Sequence, residues 1–585
     1  MPSTRDPDPD FIPVVGSNTM SMTIAEATAV LTAPGQLFET EEQVIRGIPM
    51  KVWKSAPQSL RVVLEMSRGH GAQTFLVYED ERMTFEEHFR AVAHLATRLV
   101  DEYGVGKGDR VAIAMRNFPE WVLAFWAAAA AGAVVVPLNA WWTGEELAYG
   151  LSDSGATVLF ADAEREERLR PHWGEVPGLK HVIVARSEGT VDEGHELFED
   201  VLGEVPDDVA LPDVDIEPED DATIFYTSGT TGRPKGALGT HRNICGNLMS
   251  LGFVAMRSGL QAKGPDGGLT AGSGQQNSSL LSVPFFHATG CHSVLVANTA
   301  FGGKLVVMYK WDPERALELI EREEVTNFGG VPAMVWQVLD SPEFAKRDTS
   351  SVKAIGYGGA PAPPELVKRI KEHFPTGSPS NGYGLTETSS VSTMNAGIDY
   401  ERKPDSVGPP VPVVEVKVVD DEGNPVPLGE VGELWIKGPN IVKGYWNKPE
   451  ATADTFTDGW LHSGDVARLD DEGFVYIVDR AKDMLIRGGE NVYCVEVEGV
   501  LFEHPAVSEA AVIGIPHPVL GEEVGAVVQL RPGATVTDEE LKAHVAERLA
   551  GFKVPVRFWF RDEPLPRNPA GKVMKRDLRE ELLPS

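Results

Sequence analysis

Residues 226–236 form a loop rich in hydroxyl side chains and glycine that ends near a single lysine, directly after the apolar run 222–225. Backbone N–H groups and hydroxyl donors of such a loop converge readily on a phosphate chain, and Lys235 adds a positive charge. The loop is not a Walker A sequence, because Arg233 and Pro234 separate its second glycine, Gly232, from the lysine. The pattern therefore predicts a nucleotide-binding fold of another kind; the alternative is a solvated Gly/Thr turn.

Charge excludes several kinds of anion-binding protein. The chain has 53 Lys and Arg against 87 Asp and Glu, a net charge of -34, so a nucleic-acid footprint or a polybasic membrane patch is not expected. Because the chain is so acidic, any anionic ligand must be held by local donors.

A length of 585 residues predicts roughly three to four domains or subdomains.

Cysteine usage and the first residues favour a cytoplasmic protein. Cys245, Cys291 and Cys494 lie far apart without paired spacing, which argues against a zinc site and for a reducing compartment. Residues 1–18 lack the basic and apolar regions of an export signal. The uncharged stretch 121–138 changes from alanine-rich to valine-rich composition, so we expect a buried helix and a strand there and no transmembrane segment. Peripheral membrane contact and the oligomeric state stay open.

Hydrophobic periodicity predicts an α/β architecture. Thr84 and Glu87 form a capping box before apolar residues at helical spacing, and residues 111–115 form a continuous apolar run typical of a parallel strand. With the helix and strand of 121–138, these segments predict right-handed βαβ units.

Later segments predict smaller units. Residues 264–279 have the composition of a flexible loop. Short apolar runs between Gly, Pro and Asp turns predict a β-barrel-like subdomain at about 400–478. We expect a mobile arm over residues 1–35, an N-terminal domain of parallel-sheet subdomains over 36–480, and a small mobile α+β domain over 481–585.

Seven further motifs follow the first loop in an order that resembles the adenylate-forming enzymes, which comprise acyl-CoA and aryl-CoA synthetases, nonribosomal-peptide adenylation domains and beetle luciferases. The resemblance covers roughly residues 55–580 and is strongest to bacterial fatty-acyl-CoA synthetases. The motifs are PFFH at 284–287, GGAP at 358–361, NGYGLTE at 381–387, GWLHSGD at 459–465, DRAKD at 479–483, GGEN at 488–491 and PRNPAGK at 566–572.

The resemblance implies a two-step reaction. A carboxylate attacks the α-phosphorus of ATP to give an acyl-adenylate and pyrophosphate, and the thiol of coenzyme A then displaces AMP. Two anions meet in the first step, so positioning and charge compensation are the main tasks of the protein. Mg²⁺, which prefers oxygen ligands, would bridge phosphate oxygens between Thr227 and Glu387.

Site residues carried over from the family fall into four groups. The implied catalytic residues are Lys572, Glu387, Thr227 and His287, with Lys572 reaching both the substrate carboxylate and the α-phosphate. The implied ATP and AMP site comprises Thr227, Ser228, Gly229, Thr230, Thr231, Gly232, Lys235, Gly359, Ala360, Pro361, Gly382, Tyr383, Gly384, Thr386, Glu387, Asp465, Arg480 and Lys572. Tyr383 would stack on adenine, and Asp465 would accept the ribose hydroxyls.

Domain motion is the third implication of the resemblance. The family turns its C-terminal domain between two orientations, one for each half-reaction. Lys482 stands at the hinge position, and Gly488 and Gly489 would line a tunnel for the pantetheine arm.

The acyl pocket is the fourth group, and by position it should draw on His287, Ala288, Val331, Met334, Gly358 and Gly384. No basic residue stands among them to pair with a second carboxylate, and glycine at 358 and 384 is interpreted as leaving depth. A medium- to long-chain fatty acid is favoured. An aromatic acid, transfer of the acyl-adenylate to a carrier protein, and a non-catalytic acyl-binding protein are the alternatives.

Overall fold

The structure is a computed structural model that describes residues 22–189, 191–227, 233–263, 275–360, 362–480, 483–488, 490–568 and 571–583. Within those residues the strands are β1 Thr40–Ile45, β2 Ile48–Trp53, β3 Thr74–Tyr78, β4 Glu81–Thr84, β5 Arg110–Ala114, β6 Val134–Pro137, β7 Val158–Asp162, β8 His181–Ala185, β9 Glu196–Leu197, β10 Asp221–Thr227, β11 Lys235–Thr240, β12 Ser278–Leu281, β13 Lys304–Val307, β14 Asn327–Gly330, β15 Ala354–Gly358, β16 Ser378–Tyr383, β17 Thr393–Ala396, β18 Glu415–Val419, β19 Gly432–Lys437, β20 Phe456–Thr457, β21 Trp460–Leu469, β22 Val475–Arg480, β23 Leu485–Arg487, β24 Glu490–Val492, β25 Val507–His517, β26 Gly521–Leu530 and β27 Arg557–Arg561.

The α-helices in the same ranges are α1 Ile24–Leu31, α2 Leu60–Ser67, α3 Phe85–Asp101, α4 Pro119–Ala130, α5 Gly144–Ser154, α6 Ala163–Leu169, α7 Phe198–Leu202, α8 His241–Lys263, α9 Val296–Phe301, α10 Pro313–Arg322, α11 Pro332–Asp340, α12 Pro364–His373, α13 Ile398–Arg402, α14 Pro449–Thr455, α15 Cys494–Phe502, α16 Asp538–Ala546 and α17 Lys575–Leu582. Short 3-10 turns occur at Arg68–His70, Arg170–Glu175, Phe344–Lys346, Thr386–Thr388 and Gly551–Lys553, and a π-helical segment at Thr289–Leu295.

Two mostly parallel sheets build the N-terminal domain. One has the strand order β11-β10-β6-β5-β7-β8-β9, and the other has the order β17-β16-β15-β14-β12-β13-β3-β4. Antiparallel strands lie at the edges, where β10 pairs with β11, β16 with β17, and β3 with β4. Strands β5, β6 and β7 are short apolar runs that are buried on both faces, and for β5 and β6 the sequence pattern predicted this.

The largest core cluster joins these two sheets. It contains Leu76 and Leu305 of one sheet, Val111 and Val135 of the other, and the apolar residues of α3 and α4. Thr84 and Glu87 form both hydrogen bonds of the predicted capping box at the start of α3. All side chains from Trp121 to Ala130 are buried, so the alanine-rich stretch is an interior helix. Among the residues that the structure describes, no helix combines the length and apolar character needed to cross a bilayer.

A small antiparallel sheet follows, with β18, β19, β21 and β20 in order and β22 paired to β21. The C-terminal domain contains a second small sheet, of order β24-β23-β26-β25 with β27 on β26, and α15, α16 and α17. The predicted fold class, α/β with parallel-sheet subdomains, a small β subdomain and a C-terminal α+β domain, is confirmed.

Two boundary predictions differ from the structure. The arm predicted over residues 1–35 reaches too far, because Thr23 and Glu26 cap α1, and Ala27 and Leu31 are buried in a core cluster. The loop predicted over 264–279 ends earlier, since β12 begins at Ser278. Residues 264–274 of that loop lie outside the described residues.

Candidate active site

A large cavity of about 2450 Å³ lies between the N-terminal and C-terminal domains. Parallel strands bring residues that follow their carboxyl ends to one edge of a sheet, which is where open α/β sheets bind ligands. The predicted site residues that line this cavity are Thr227, Lys235, His287, Ala288, Val331, Gly359, Ala360, Gly382, Tyr383, Gly384, Thr386, Glu387, Asp465, Arg480 and Lys572. The fold thus brings together residues from both domains that are up to 345 positions apart in sequence.

Several predicted residues lie outside the described parts of the chain. They are Ser228, Gly229, Thr230, Thr231, Gly232, Pro361, Lys482 and Gly489. Their assigned roles stay predictions.

The two ends of the phosphate loop are paired strands. Thr227 ends β10 and Lys235 begins β11, and these two residues face each other in the antiparallel register. The Lys235 ammonium lies 4.4 Å from the ring centroid of Tyr445, a cation–π contact. The residues that enter and leave the loop are therefore held side by side at the cavity wall.

Tyr445 also fixes the candidate metal ligand. Its hydroxyl donates a 2.6 Å hydrogen bond to Oε1 of Glu387, and burial followed by the neighbouring Glu387 charge raises the pKa of Tyr445. The Thr227 hydroxyl and the Glu387 carboxylate both line the cavity. Hydroxyl and carboxylate oxygens are the ligands that Mg²⁺ prefers, so this donor set fits that ion.

Asp465 and Arg480 form an ion pair across the small β-sheet. They face each other in the β21–β22 register, and Arg480 Nε lies 2.7 Å from Asp465 Oδ1. The other carboxylate oxygen accepts a 2.6 Å hydrogen bond from the Tyr383 hydroxyl. Burial and then the Asp465 charge raise the pKa of Tyr383, so this phenol stays protonated and donates.

Glycine is required at 358 and 384 because each position packs directly against another part of the backbone. A Cβ atom on Gly358 would clash with the carbonyl of Gly382 on the neighbouring strand, and one on Gly384 would clash with the carbonyl of Ser390. Backbone packing by itself therefore requires glycine at both positions, and the interpretation that they leave depth for the acid stays a prediction. Gly359 has a φ of +75° with open space around its Cβ position, so there the backbone conformation favours glycine.

His287 lines the cavity as a neutral side chain. Burial lowers its pKa to about 4, and its Nε2 atom is buried without a hydrogen-bond partner among the described residues. Its ring contacts Phe286 at 4.8 Å between centroids. A neutral, tightly surrounded imidazole is suited to forming a wall between two parts of the cavity.

The predicted acyl pocket is brought together in part. His287, Ala288, Val331 and Gly384 line the cavity, whereas Met334 and Gly358 are not among the described residues that line it. The Met334 side chain is 8% exposed. The wall formed by residues 286–289 and 331–333 carries no charged side chain.

A tight turn presents Lys572 to this cavity. The Lys572 N–H donates to Asn568 Oδ1, and the Asn568 N–H donates to the Lys572 carbonyl, both at 2.9 Å. Arg567 donates to the Gly571 carbonyl and to Glu509 of β25. The turn is thus fixed to the sheet of the C-terminal domain.

The junction between the domains contains a buried carboxylate. Asp479 of β22 accepts hydrogen bonds from the backbone N–H groups of Arg480 and Cys494. Burial raises the pKa of Asp479 to about 6, although Lys575 opposes this. Gly488 has a φ of +62° and its Cβ position contacts Leu520. It is not among the cavity-lining residues, and its tunnel role stays a prediction.

Two residues of this site were missed from the sequence. Tyr445 contacts Glu387 from 58 positions away, and Arg567 shapes the Lys572 turn. Arg567 lies inside a quoted motif, but nothing local marks Tyr445 as a partner of the metal-ligand candidate.

Comparison with known proteins gives the family. The model of the AMP-binding enzyme family matches residues 63–446, and that of the AMP-binding enzyme C-terminal domain matches residues 496–572. A feruloyl-CoA synthase of an Amycolatopsis species is 36% identical over 498 residues, which cover 85% of this chain and 93% of that protein.

Two further relatives extend the comparison. A long-chain-fatty-acid–CoA ligase of Bacillus subtilis (strain 168) is 34% identical over 87% of this chain and 92% of its own length. The crystal structure of the anthranilate CoA ligase AuaEII in complex with anthranoyl-AMP matches with a TM-score of 0.80 and 28% identity, covering 89% of this chain and 97% of that one.

Proposed function

The chain belongs to the AMP-binding enzyme family and is an AMP-forming acid–CoA ligase, and we propose that its acid is an apolar monocarboxylic acid, with medium- to long-chain fatty acids as the first class. The overall reaction uses ATP and coenzyme A.

Adenylation joins two anions, so the cavity must supply positive charge and fixed donors. Lys235 at the phosphate loop and Lys572 on its turn supply cationic groups from opposite domains. In the proposed step a carboxylate oxygen of the acid attacks the α-phosphorus, the bond to the β-phosphate bridging oxygen breaks, and pyrophosphate leaves. Lys572 stabilises the negative charge as it shifts between the acid and the α-phosphate.

The nucleotide is oriented by groups that are already bonded to one another. Asp465, held by Tyr383 and Arg480, offers its carboxylate to the ribose hydroxyls, and the Tyr383 ring offers a face to adenine. Glu387, held by Tyr445, and Thr227 would hold Mg²⁺, which would offset phosphate charge when bound. Preformed bonds of this kind reduce the reorganisation needed in the transition state.

The proposal for the acid rests on the uncharged wall formed by residues 286–289 and 331–333. A second carboxylate or an ammonium group buried against it would lose its hydration without gaining a partner. An apolar chain or ring would gain by burial at about 25 cal/mol per Å² of apolar surface. Dicarboxylic and amino acids are therefore disfavoured.

An aromatic monocarboxylic acid is the second candidate. The uncharged wall accepts a ring as well as a chain. The Amycolatopsis relative is named a feruloyl-CoA synthase and is as similar to this chain as the fatty-acid ligase of Bacillus subtilis. The two classes differ in the length of apolar surface that the pocket must cover.

A pyrophosphate-release screen tests the proposal. The purified protein is given ATP and Mg²⁺ with fatty acids of increasing length, aryl acids, dicarboxylic acids and amino acids, each with and without coenzyme A. We expect turnover with coenzyme A to peak within the fatty series, with the acyl-CoA detected as product. A higher kcat/KM for aryl acids would select the second candidate, and preference for a charged acid would overturn the proposal.

A further inference from the structure

We propose that Asp340 is the docking point that holds the C-terminal domain in the orientation that presents Lys572 to the cavity, and that Arg531 is the residue that docks there. This inference rests on the proposed function for its consequence on adenylation. It is carried by an interdomain contact that includes none of the predicted nucleotide residues. The docking contact comprises Asp340, Arg369, Arg531 and Trp336.

Asp340 receives an arginine from each domain. Arg369 of α12, in the N-terminal domain, places Nη1 2.9 Å from Asp340 Oδ1, and Arg531, directly after β26 in the C-terminal domain, places Nη1 3.1 Å from Asp340 Oδ2. Both guanidinium groups also lie against the Trp336 ring, at 5.2 Å and 5.8 Å from its centroid. Each carboxylate oxygen of Asp340 thus pairs with an arginine from a different domain.

The position of Asp340 in its helix supports a role in docking. Asp340 is the last residue of α11, where the negative end of the helix dipole disfavours a carboxylate. Trp336 lies one turn earlier, so the ring and the carboxylate share one face of the helix. A residue that is unfavourable for its own helix gains from the two cations that it meets, one of which arrives with the other domain.

The arrangement also permits release. When Arg531 leaves, Asp340 keeps Arg369, so no buried charge loses its partner. Asp340 is 36% exposed and Arg531 is 30% exposed, and an ion pair that is open to water contributes modestly. We expect the contact to shift the docked population by roughly two- to fivefold, which is weak enough for a domain that must also move away.

The distance between two other residues, Gly571 and Val331, reports whether the C-terminal domain is docked. The ideal Cβ position of Gly571, in the Lys572 turn, lies 3.5 Å from Cβ of Val331. That separation matches the range bridged by a disulfide, about 3.5–4.5 Å between Cβ atoms. The double variant Gly571→Cys, Val331→Cys therefore forms an interdomain disulfide only when the C-terminal domain is docked. The native cysteines are all buried.

The test measures the rate of this disulfide under a fixed redox buffer, without any substrate. Arg531→Ala and Asp340→Asn in the double-cysteine protein should each slow the reaction about two- to fivefold, and Arg531→Ala at least as much as Asp340→Asn because it also removes the contact with Trp336. Combining them should slow it no further than Arg531→Ala alone, because that change already removes the ion pair. Arg531→Lys should restore part of the rate, and added salt should slow the parent but not the variants.

Arg548→Ala is the matched control. Arg548 pairs with Glu503 at 3.1 Å within the C-terminal domain, so its loss leaves the interdomain contact intact. Equal disulfide rates in the parent, Arg531→Ala and Asp340→Asn would overturn the proposal, as would an equal slowing by Arg548→Ala. Because no acid is needed, a protein that releases no pyrophosphate with any acid would refute the proposed function while leaving the docking result standing.

Discussion

Gly571 and Val331 are packed so closely that a Cβ atom on Gly571 would lie 2.6 Å from Cγ2 of Val331. Gly571 directly precedes Lys572 in the C-terminal domain, and Val331 belongs to the predicted acyl pocket in the N-terminal domain. With Val331 in place, a side chain at 571 would push the Lys572 turn out of its position. This contact allows the role of the turn to be separated from ordinary backbone strain.

Gly571→Ala should slow adenylate formation at least tenfold, because the added methyl group meets Val331 and the backbone has a φ of +79°. Gly473→Ala is the control, since Gly473 has the same φ of +79° with nothing within 4 Å of its Cβ position. ATP–pyrophosphate exchange measures the step. If both variants lose the same activity, backbone strain explains the result and the contact with Val331 does not.

Lys572→Ala should slow adenylate formation by about 10² to 10³, the usual cost of removing one preorganised donor to developing charge. Thioester formation from supplied acyl-adenylate should be spared, because that step breaks the acyl–phosphate bond after the lysine has done its part. Lys368→Ala, at a lysine that is 65% exposed on α12, provides a charge-matched control. An equal loss in both half-reactions would contradict the assignment.

Tyr445→Phe should lower kcat/KM for adenylation about tenfold or more, since a hydrogen bond to a charged group is lost while the ring over Lys235 remains. We also expect the dependence on Mg²⁺ concentration to move to higher values as Glu387 loses its orientation. Tyr476→Phe removes a similar bond to Asp470, 2.9 Å long and away from the cavity. Similar Mg²⁺ titrations for the two variants would exclude a special role of Tyr445.

Asp465→Asn should raise the KM for ATP at least tenfold with a smaller effect on kcat. The change keeps the shape of the side chain but removes the charge that Arg480 and Tyr383 hold in place. Asp470→Asn, which also removes a carboxylate that accepts from a tyrosine, is the comparison. An unchanged KM for ATP in Asp465→Asn would place the ribose elsewhere.

His88 should make the protein less stable in acid. Burial lowers its pKa to about 3, against 6.5 for an ordinary histidine, and neither ring nitrogen has a partner among the described residues. Below pH 6.5 His88 takes up a proton in the unfolded chain but stays neutral in the folded protein. The free energy of unfolding therefore falls by about 1.4 kcal/mol per pH unit down to roughly pH 3.

His88→Leu should remove that loss, so that urea midpoints at pH 7.5 and pH 5 differ less than in the parent protein. His94→Leu, on the same helix α3 but only half-buried, is the control. An equal pH dependence in the parent and His88→Leu would show that other groups dominate acid unfolding.

Local signals account for most of what the sequence predicted correctly. The runs at 111–115 and 121–138 became β5, α4 and β6 because their composition already matches buried strands and an interior helix. Helix α1 carried a similar local signal, the capping box of Thr23 and Glu26, which the acidic and proline-rich residues before it obscured.

Non-local contacts were harder to predict. The hydroxyl of Tyr445 binds Glu387, which lies 58 positions away in sequence, so no local spacing indicates this contact. The described residues of the predicted nucleotide site, which lie in compact motifs, all line the cavity, whereas Met334 and Gly358 of the predicted acyl pocket are not among the described residues that line it.

Helix α11 links two events that are otherwise separate. Its first residue, Pro332, follows Val331 at the predicted acid pocket. Its last residue, Asp340, lies about 12 Å farther along the helix axis and pairs with Arg531. One short helix thus connects the predicted acid pocket with the proposed docking contact. If that contact holds the C-terminal domain as proposed, residues beyond the pocket walls would contribute to the choice of acid.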